Sequence, residues 1–227
     1  MSEPIRICLV GATGLIGWQM IEQAVGRSDV RIMAIARREV ALPRGARMEL
    51  VVCEPGGWAD VIAKSRAQVL VCALGTTWRK AGKEEAAFRA VDFDLVLSCA
   101  RAARAAGIQH MIVVSSVGAD AGSRGFYLRV KGEVEAALGK LGFRRLDILR
   151  PGLLRGPRGD DRRFGERLAI AFSPLFDLLL LGKRRQYRSI KSTSVALAIM
   201  ALAKQKAGGR FVHDNDAMLY ALRRHGG

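Results

Sequence analysis

The sequence has few of the residues that mark secreted or metal-binding proteins. Its 227 positions include four cysteines and three histidines, and only 6% of the residues are aromatic. The cysteines (Cys8, Cys53, Cys72 and Cys99) each lie in an apolar run, without Cys-x-x-Cys spacing and without a histidine nearby. This pattern favours small reduced core residues over a disulfide framework or a zinc site. We therefore expect no bound metal and a reducing compartment.

Long apolar runs are also missing. The longest one near the carboxyl end, residues 168–181, is interrupted by Ser173, Pro174 and Asp177 and is too short to span a bilayer. The first residues enter an apolar strand at Ile5 without the apolar core of a signal peptide. These observations predict a cytoplasmic protein with no membrane partner.

Acidic residues are outnumbered by basic ones, 21 to 37, which gives a formal net charge of +16. Such a balance favours anionic partners, either a phosphorylated cofactor or a nucleic acid. The basic residues are scattered in short clusters and are not interleaved with aromatic residues, as single-strand binding requires. We therefore expect a basic solvated surface, and nucleic acid stays an alternative that only the charge supports.

The pattern of apolar residues predicts one α/β unit. With 50% hydrophobic residues, the chain can bury one sizeable core. Buried strand-like runs alternate with segments of helical spacing, which predicts a Rossmann-like, doubly wound parallel sheet. The predicted strands cover 5–10, 30–36, 48–53, 68–74, 110–115 and 145–149, and the predicted helices cover 15–25, 58–65, 83–106 and 126–141.

The pattern changes after Pro151. We expect an NADP-binding Rossmann-like domain over 1–155 and a small substrate-side segment over 156–227, packed together as one compact unit. In the second segment, helices are predicted at 193–204 and 216–223 and a short strand at 210–213. We expect this segment to cap the carboxyl ends of the strands, where open α/β sheets bind ligands.

A glycine-rich turn joins the first strand to the first helix. Its glycines, Gly11, Gly14 and Gly17, form a G-x-x-G-x-x-G pattern. Glycine permits a tight turn and a close approach to a pyrophosphate, and the helix N-terminus attracts an anion. The predicted cofactor contacts in this loop are Gly11, Thr13, Gly14, Leu15, Ile16 and Gly17.

The end of the second strand indicates which dinucleotide is bound. An NAD site carries an acidic residue there, but this chain has Ala36-Arg37-Arg38. Because a guanidinium pairs well with a phosphate, Arg37 and Arg38 favour NADP over NAD.

Three further side chains form a candidate catalytic set. Tyr127 and Lys131 are four residues apart on a predicted helix and therefore share a face. A neighbouring ammonium favours the ionised form of a phenol, so Tyr127 is a candidate general acid and base. Ser115 and Ser116 follow the fifth strand, where a hydroxyl is positioned to bind the same substrate oxygen.

In these motifs the chain resembles short-chain dehydrogenases of the extended or atypical kind. It is most similar to the Tat-interacting-protein-like oxidoreductases, in the stretches 72–77, 80–82, 115–120, 127–135 and 150–154. The resemblance implies that Ser116 polarises the substrate, that Tyr127 is the acid and base, and that Lys131 binds the nicotinamide ribose. It also implies cofactor contacts from Cys53, Glu54, Ala73, Leu74, Gly75, Ser115, Tyr127, Lys131, Pro151, Gly152, Leu153 and Leu154. Relatives often carry Asn where this chain has Asp92, which puts a proton relay through that position in doubt.

The expected function is hydride transfer to or from a carbonyl or alcohol. Two alternatives stay open: an NADPH-binding regulatory protein, and an enzyme like the nucleotide-sugar epimerases and dehydratases. Phe164, Phe172 and Phe176 in the cap indicate a small apolar or aromatic substrate. The apolar helices over 91–106 and 127–138 leave a homodimer open.

Overall fold

A computed structural model describes residues 3–156 and 182–225. Its strands are β1 (Ile5–Val10), β2 (Val30–Ala36), β3 (Glu49–Val52), β4 (Val69–Cys72), β5 (His110–Val114), β6 (Arg145–Leu149), β7 (Leu154–Arg155), β8 (Ile190–Lys191) and β9 (Gly209–His213). The main sheet has seven parallel strands in the order β3-β2-β1-β4-β5-β6-β9, and a short parallel pair, β7 with β8, lies beside it. The predicted Rossmann-like fold is confirmed.

Seven α-helices are described, and they cover both faces of the sheet. They are α1 (Leu15–Ala24), α2 (Trp58–Lys64), α3 (Glu85–Arg89), α4 (Val96–Ala105), α5 (Phe126–Gly139), α6 (Ser192–Ala203) and α7 (Asn215–His225). Apolar residues of α1, α6 and α7 form the core on one face, and those of α2, α4 and α5 form it on the other. Among the described residues, no helix is both long and apolar enough to cross a membrane.

The helix predicted over 83–106 differs from the structure. Between α3 and α4 the chain forms a π-helical segment, Ala90–Leu95, which buries Asp92. An extra residue in a helical turn changes which side chains point inward, and such π segments are frequent at functional sites. Apolar spacing alone does not distinguish this wider turn from an α-helical one.

The residues after β6 contribute strands to both sheets. The β7–β8 pair follows the end of β6, but β9 is the seventh strand of the main sheet and pairs with β6. Helix α6 packs against α1 and α7, because its sequence is apolar around most of its circumference and must be buried. The described part of the predicted cap therefore completes the sheet, while the three cap phenylalanines lie outside the described residues. A domain boundary at residue 155 stays a prediction, and the sheet itself extends across it.

Candidate functional site

The glycine loop sits at the carboxyl edge of β1, where the strand order reverses between β1 and β4. Gly11 has a φ of +89°, and a Cβ there would lie 2.6 Å from the backbone carbon of Ala73. A Cβ on Gly17 would lie 2.2 Å from the Gly11 oxygen. Only glycine fits at both positions, so the loop packs closely against the end of β4 and leaves a backbone cradle for a phosphate group.

Side chains in the loop divide by exposure. Thr13 is exposed at the turn, and Leu15 is half-buried at the start of α1. Ile16 packs its side chain into the core beside α6. Of these three predicted contacts, Ile16 therefore has only its backbone to offer a ligand. Helix α1 has no acidic residue in its first turn, which suits an anion at its N-terminus.

Four of the residues predicted to contact the cofactor follow the ends of β2 and β3. Arg37 and Arg38 follow β2 directly and are both exposed, with no ion pair to another described residue. Cys53 follows β3, is half-buried and accepts a hydrogen bond from the Trp58 indole nitrogen on its carbonyl oxygen. Glu54 beside it is exposed. These positions surround the carboxyl ends of β2 and β3.

Lys131 and Asp92 form a buried ion pair at the end of β4. The Lys131 Nζ lies 2.8 Å from the Asp92 Oδ1, and the two residues are 5% and 0% exposed. Asp92 Oδ2 accepts a hydrogen bond of 2.7 Å from the Thr76 backbone N–H. A Cβ on Gly75 would lie 3.9 Å from Lys131 Nζ, so this glycine leaves space directly in front of the ammonium.

The charge on Lys131 is maintained by its neighbours. Burial on its own lowers the pKa of Lys131, but the Asp92 carboxylate and then Tyr127 raise it, and the net pKa lies above its ordinary value. Lys131 is therefore a cation at neutral pH. The buried Asp92 thus holds a charged lysine next to the predicted catalytic tyrosine.

Tyr127 lies one turn before Lys131 on α5 and is 41% exposed. Its ring packs edge-on against Phe88 at 5.7 Å between centroids. Phe88 and Phe126 are 5.6 Å apart, and Trp78 stands 5.3 Å from Phe126. The rings of Trp78, Phe88 and Phe126 thus form an aromatic wall beside the candidate catalytic residue, and Phe88 contacts it directly. Sequence analysis missed Trp78, Phe88 and Phe126 because they come from three separate segments.

The two serines after β5 have different surroundings. Ser115 is buried, and its hydroxyl donates a 2.5 Å hydrogen bond to Glu135, which is also bound by Arg150 at 2.6 Å. Ser116 is half-buried, and its hydroxyl makes only a long 3.4 Å contact with the Val117 carbonyl oxygen. The Ser115 hydroxyl is therefore engaged inside the protein, and Ser116 has the hydroxyl that is available to a ligand.

The segment after β6 reaches the same edge. Gly152 donates its N–H to the Asn215 side chain, and a Cβ there would lie 2.2 Å from the Arg188 carbonyl oxygen. Pro151 is buried and Leu153 is exposed. Leu154 starts the β7–β8 pair. The structure thus brings the predicted residues of the glycine loop, the end of β4, α5 and this segment to the carboxyl side of one sheet.

Solved structures with the same fold include the UDP-glucose 4-epimerase of Thermus thermophilus in complex with NAD. It is 17% identical to this chain, with a TM-score of 0.67 over 98% of this chain and 84% of the epimerase. The Bordetella bronchiseptica enzyme WbmH in complex with NAD+ has a TM-score of 0.70 at 13% identity, over 94% of this chain and 76% of that one. At these identities the likeness shows the fold.

Curated relatives correct one expectation. FMP52 of Candida glabrata is 33% identical over 210 residues, which are 91% of this chain and 88% of that protein. Its counterpart in Emericella nidulans is 36% identical over 164 residues, 69% of this chain and 70% of that protein. Both are named mitochondrial proteins, so the cytoplasmic location expected from the sequence is wrong: unpaired cysteines in apolar runs indicate a reducing compartment but not which one.

A family model described as NAD(P)H-binding matches residues 11–169, from the first glycine of the loop to beyond β7. The matched range contains the glycine loop, the Asp92–Lys131 pair and Tyr127. The chain therefore belongs to the NAD(P)H-binding family, and the FMP52 proteins are among its relatives.

Proposed function

We propose that the chain is an NADP-dependent oxidoreductase of the short-chain dehydrogenase type, acting on a carbonyl or alcohol. The observation that carries this proposal is the buried Lys131 ammonium, held by Asp92 in front of Gly75 and one helical turn from Tyr127. A cation at this place fits the ribose hydroxyls of a nicotinamide nucleotide. The backbone cradle formed by Gly11 and Gly17 fits its pyrophosphate.

The side chains divide the chemistry between them. When bound, the nicotinamide supplies or accepts the hydride. Tyr127 donates a proton to the substrate oxygen during reduction and takes it back during oxidation. Ser116 donates a hydrogen bond to the same oxygen, and Lys131 orients the cofactor and favours transfer of the tyrosine proton. Asp92 acts through Lys131 as a positioning residue.

The choice of NADP rests on Arg37 and Arg38. Two exposed guanidinium groups follow β2, where a carboxylate would select NAD. A 2′-phosphate would pair with this fork of donors, while a 2′-hydroxyl would gain little from it.

A titration tests the cofactor assignment directly. We expect purified full-length protein to bind NADPH at least tenfold more tightly than NADH, followed by the fluorescence of the reduced nicotinamide. Arg37→Gln with Arg38→Gln should remove that preference by weakening NADPH binding alone. Arg31→Gln, an exposed arginine in the amino half of β2, is the matched control. A preference for NADH would refute the NADP assignment, and failure to bind either nucleotide would refute the oxidoreductase.

The aromatic wall indicates the kind of substrate. Trp78 is 39% exposed and packs against Phe88 and Phe126, and Phe88 in turn contacts the Tyr127 ring. An exposed aromatic ring near a catalytic group favours an apolar or aromatic substituent on the substrate, since it packs on planar groups. This agrees with the apolar or aromatic substrate expected from the sequence.

A screen of aromatic and aliphatic aldehydes and ketones with NADPH tests the reaction. Tyr127→Phe should lower the turnover of any active substrate by about 10²–10⁴-fold and change NADPH binding far less, because it removes the hydroxyl that donates the proton and keeps the ring. Tyr220→Phe, an exposed tyrosine on α7, is the control. Equal turnover by Tyr127→Phe and wild type would refute the assigned role.

The same screen separates the alternatives. Conversion of UDP-glucose without net consumption of NADPH would favour an epimerase. Binding of NADPH with no turnover of any carbonyl would favour an NADPH-binding regulatory protein. We further propose membership of the Tat-interacting-protein-like subgroup, supported by the stretches 115–120 and 127–135, which contain Ser116, Tyr127 and Lys131.

A further inference from the structure

A cavity lies where the β7–β8 pair meets the start of α6. It has a volume of about 280 Å³ and is lined by Arg155, Gly156, Lys191, Ser192 and Thr193. Two of these residues are basic, two carry hydroxyl groups, and none is acidic. No residue of this cavity belongs to the predicted catalytic or cofactor set. We call it the α6 cavity.

Ser192 is a buried hydroxyl residue without a partner. It is 1% exposed, and its Oγ makes no hydrogen bond to any described residue. The Oγ lies against Gly156, where an added Cβ would be only 2.1 Å from it. Most buried hydroxyl groups in proteins are hydrogen-bonded, and leaving one unpaired costs about 1–3 kcal/mol. A ligand in the cavity would satisfy this hydroxyl.

Arg155 provides a second unpaired polar atom at this cavity. Its Nε atom is buried and also has no hydrogen-bond partner among the described residues. A guanidinium with an unpaired Nε–H beside an unpaired hydroxyl is suited to an anion with several oxygens, since a guanidinium binds such anions through its planar fork of donors.

The direction of α6 adds a third contribution. Helix α6 leads into β9, which runs parallel to β6, so α6 begins at the carboxyl edge of the sheet. Its first turn has no side-chain cap and no acidic residue. The partial positive charge at the N-terminus of this 12-residue helix therefore faces the cavity without a counter-charge from its own first turn.

We propose that the α6 cavity binds a phosphate-type anion through Arg155, Lys191, Ser192 and the N-terminus of α6. The cavity adjoins the glycine loop, because a Cβ on Gly156 would lie 3.2 Å from the Leu15 side chain, and α1 packs against α6. The bound group is therefore either the cofactor's own pyrophosphate or a phosphate carried by a second molecule, such as the substrate. The anion site stands independently of the proposed oxidoreductase activity.

Calorimetric titration of the full chain with inorganic phosphate, at constant ionic strength, tests the site. We expect Arg155→Gln and Ser192→Ala each to weaken phosphate binding by about 10- to 100-fold, since each removes a hydrogen bond to a charged group. Arg31→Gln and Ser194→Ala are the matched controls and should bind phosphate as the wild type does. Without phosphate, Ser192→Ala should melt at the wild-type temperature, because its hydroxyl has no partner to lose.

Each outcome decides a separate question. Equal phosphate binding by the wild type and both variants overturns the site, as does a lower melting temperature of Ser192→Ala without phosphate. If saturating NADPH abolishes the variant-sensitive phosphate binding, the site holds the cofactor's pyrophosphate. If that binding persists, the site holds the phosphate of another molecule. Phosphate binding in a chain that binds no NADPH would leave this site standing while the proposed oxidoreductase fails.

Discussion

Two buried carboxylates, Asp92 in the π-helical segment and Asp147 in β6, differ in the number of partners that bind their oxygens. Asp92 and Asp147 are both 0% exposed. Asp147, in the middle of β6, is surrounded by three cationic or ionisable partners, whereas Asp92 has one cation and one backbone N–H.

Asp147 is satisfied on both oxygens. Arg145 donates to Oδ2 at 2.6 Å and to Oδ1 at 2.8 Å, while the His110 and His213 rings each lie 2.7 Å away. These residues come from β5, β6 and β9, so the cluster joins the three last strands of the sheet. Burial on its own raises the pKa of Asp147, but the hydrogen bonds from these partners lower it, and the net pKa lies well below its usual range.

Asp92 has fewer partners. Its Oδ1 forms an ion pair with Lys131 Nζ at 2.8 Å, and its Oδ2 accepts a hydrogen bond from the Thr76 N–H. It lies in the π-helical segment and next to Gly75, at the carboxyl edge of the sheet. A carboxylate with several partners inside the sheet supports the fold, while one that holds a single cation at a ligand edge keeps that cation positioned for chemistry.

Removal of the Asp147 charge is expected to give the largest effect. Asp147→Asn should lower the free energy of unfolding by about 3–5 kcal/mol, because a buried arginine loses its counter-charge. Denaturant unfolding followed by circular dichroism measures the change. Asp60→Asn, an exposed carboxylate in α2, is the control and should change stability by less than about 0.5 kcal/mol. A small effect of Asp147→Asn would remove the contrast between the two carboxylates.

The difference in unfolding free energy between the wild type and Asp147→Asn should decrease at acid pH. The folded-state pKa of Asp147 is lowered, so its contribution is complete above the unfolded value of about 3.9 and is lost as the pH falls below it. We expect the difference in unfolding free energy to shrink steadily as the pH falls below 4. A difference that persists unchanged at pH 2.5 would contradict this account.

Asp92→Asn should affect ligand binding more than folding. Without the carboxylate, burial lowers the pKa of Lys131 and the strongest interaction that raises it is lost, so the ammonium deprotonates at a lower pH than in the wild type. We expect NADPH affinity to fall by about tenfold between pH 7 and pH 9 in the variant, since a hydrogen bond to a charged group contributes about 1.5–3 kcal/mol, and to stay nearly constant in the wild type. Asp94→Asn, exposed in the same π segment, should behave as the wild type. Identical pH profiles for all three proteins would show that Asp92 does not tune Lys131.

The smallest expected effect tests the edge of the Asp147 cluster. His213 is more exposed than His110, with 13% against 10% of the side chain accessible, and Arg145 already binds both Asp147 oxygens. His213→Gln should therefore cost only about 0.5–1.5 kcal/mol, the typical net contribution of one hydrogen bond. Thermal unfolding measures the loss, and a cost as large as that of Asp147→Asn would show that the histidine, and not Arg145, holds the carboxylate.

The sequence predicted the repeating architecture closely. The bounds of β2 and β6 agree with prediction at both ends, because apolar residues dominate β2 and the apolar residues of β6 are interspersed with two charged ones between polar turns. The glycine loop was also recognisable from the sequence, since its glycines lie so close to backbone atoms that a Cβ would not fit. The place of β9 in the main sheet was not predicted, because a short half-exposed strand carries no mark of its partner.

The sequence by itself determined the parallel sheet, the glycine loop, and the order of Ser116, Tyr127 and Lys131, because each depends on local backbone requirements or on spacing along one element. Only the tertiary structure decided which carboxylate meets which cation. Asp92 reaches Lys131 through a π-helical turn, and Ser192 and Arg155 meet across the β7–β8 pair. Such pairings depend on how distant elements pack, and the electrostatic energy that makes them functional arises only when both partners are removed from water together.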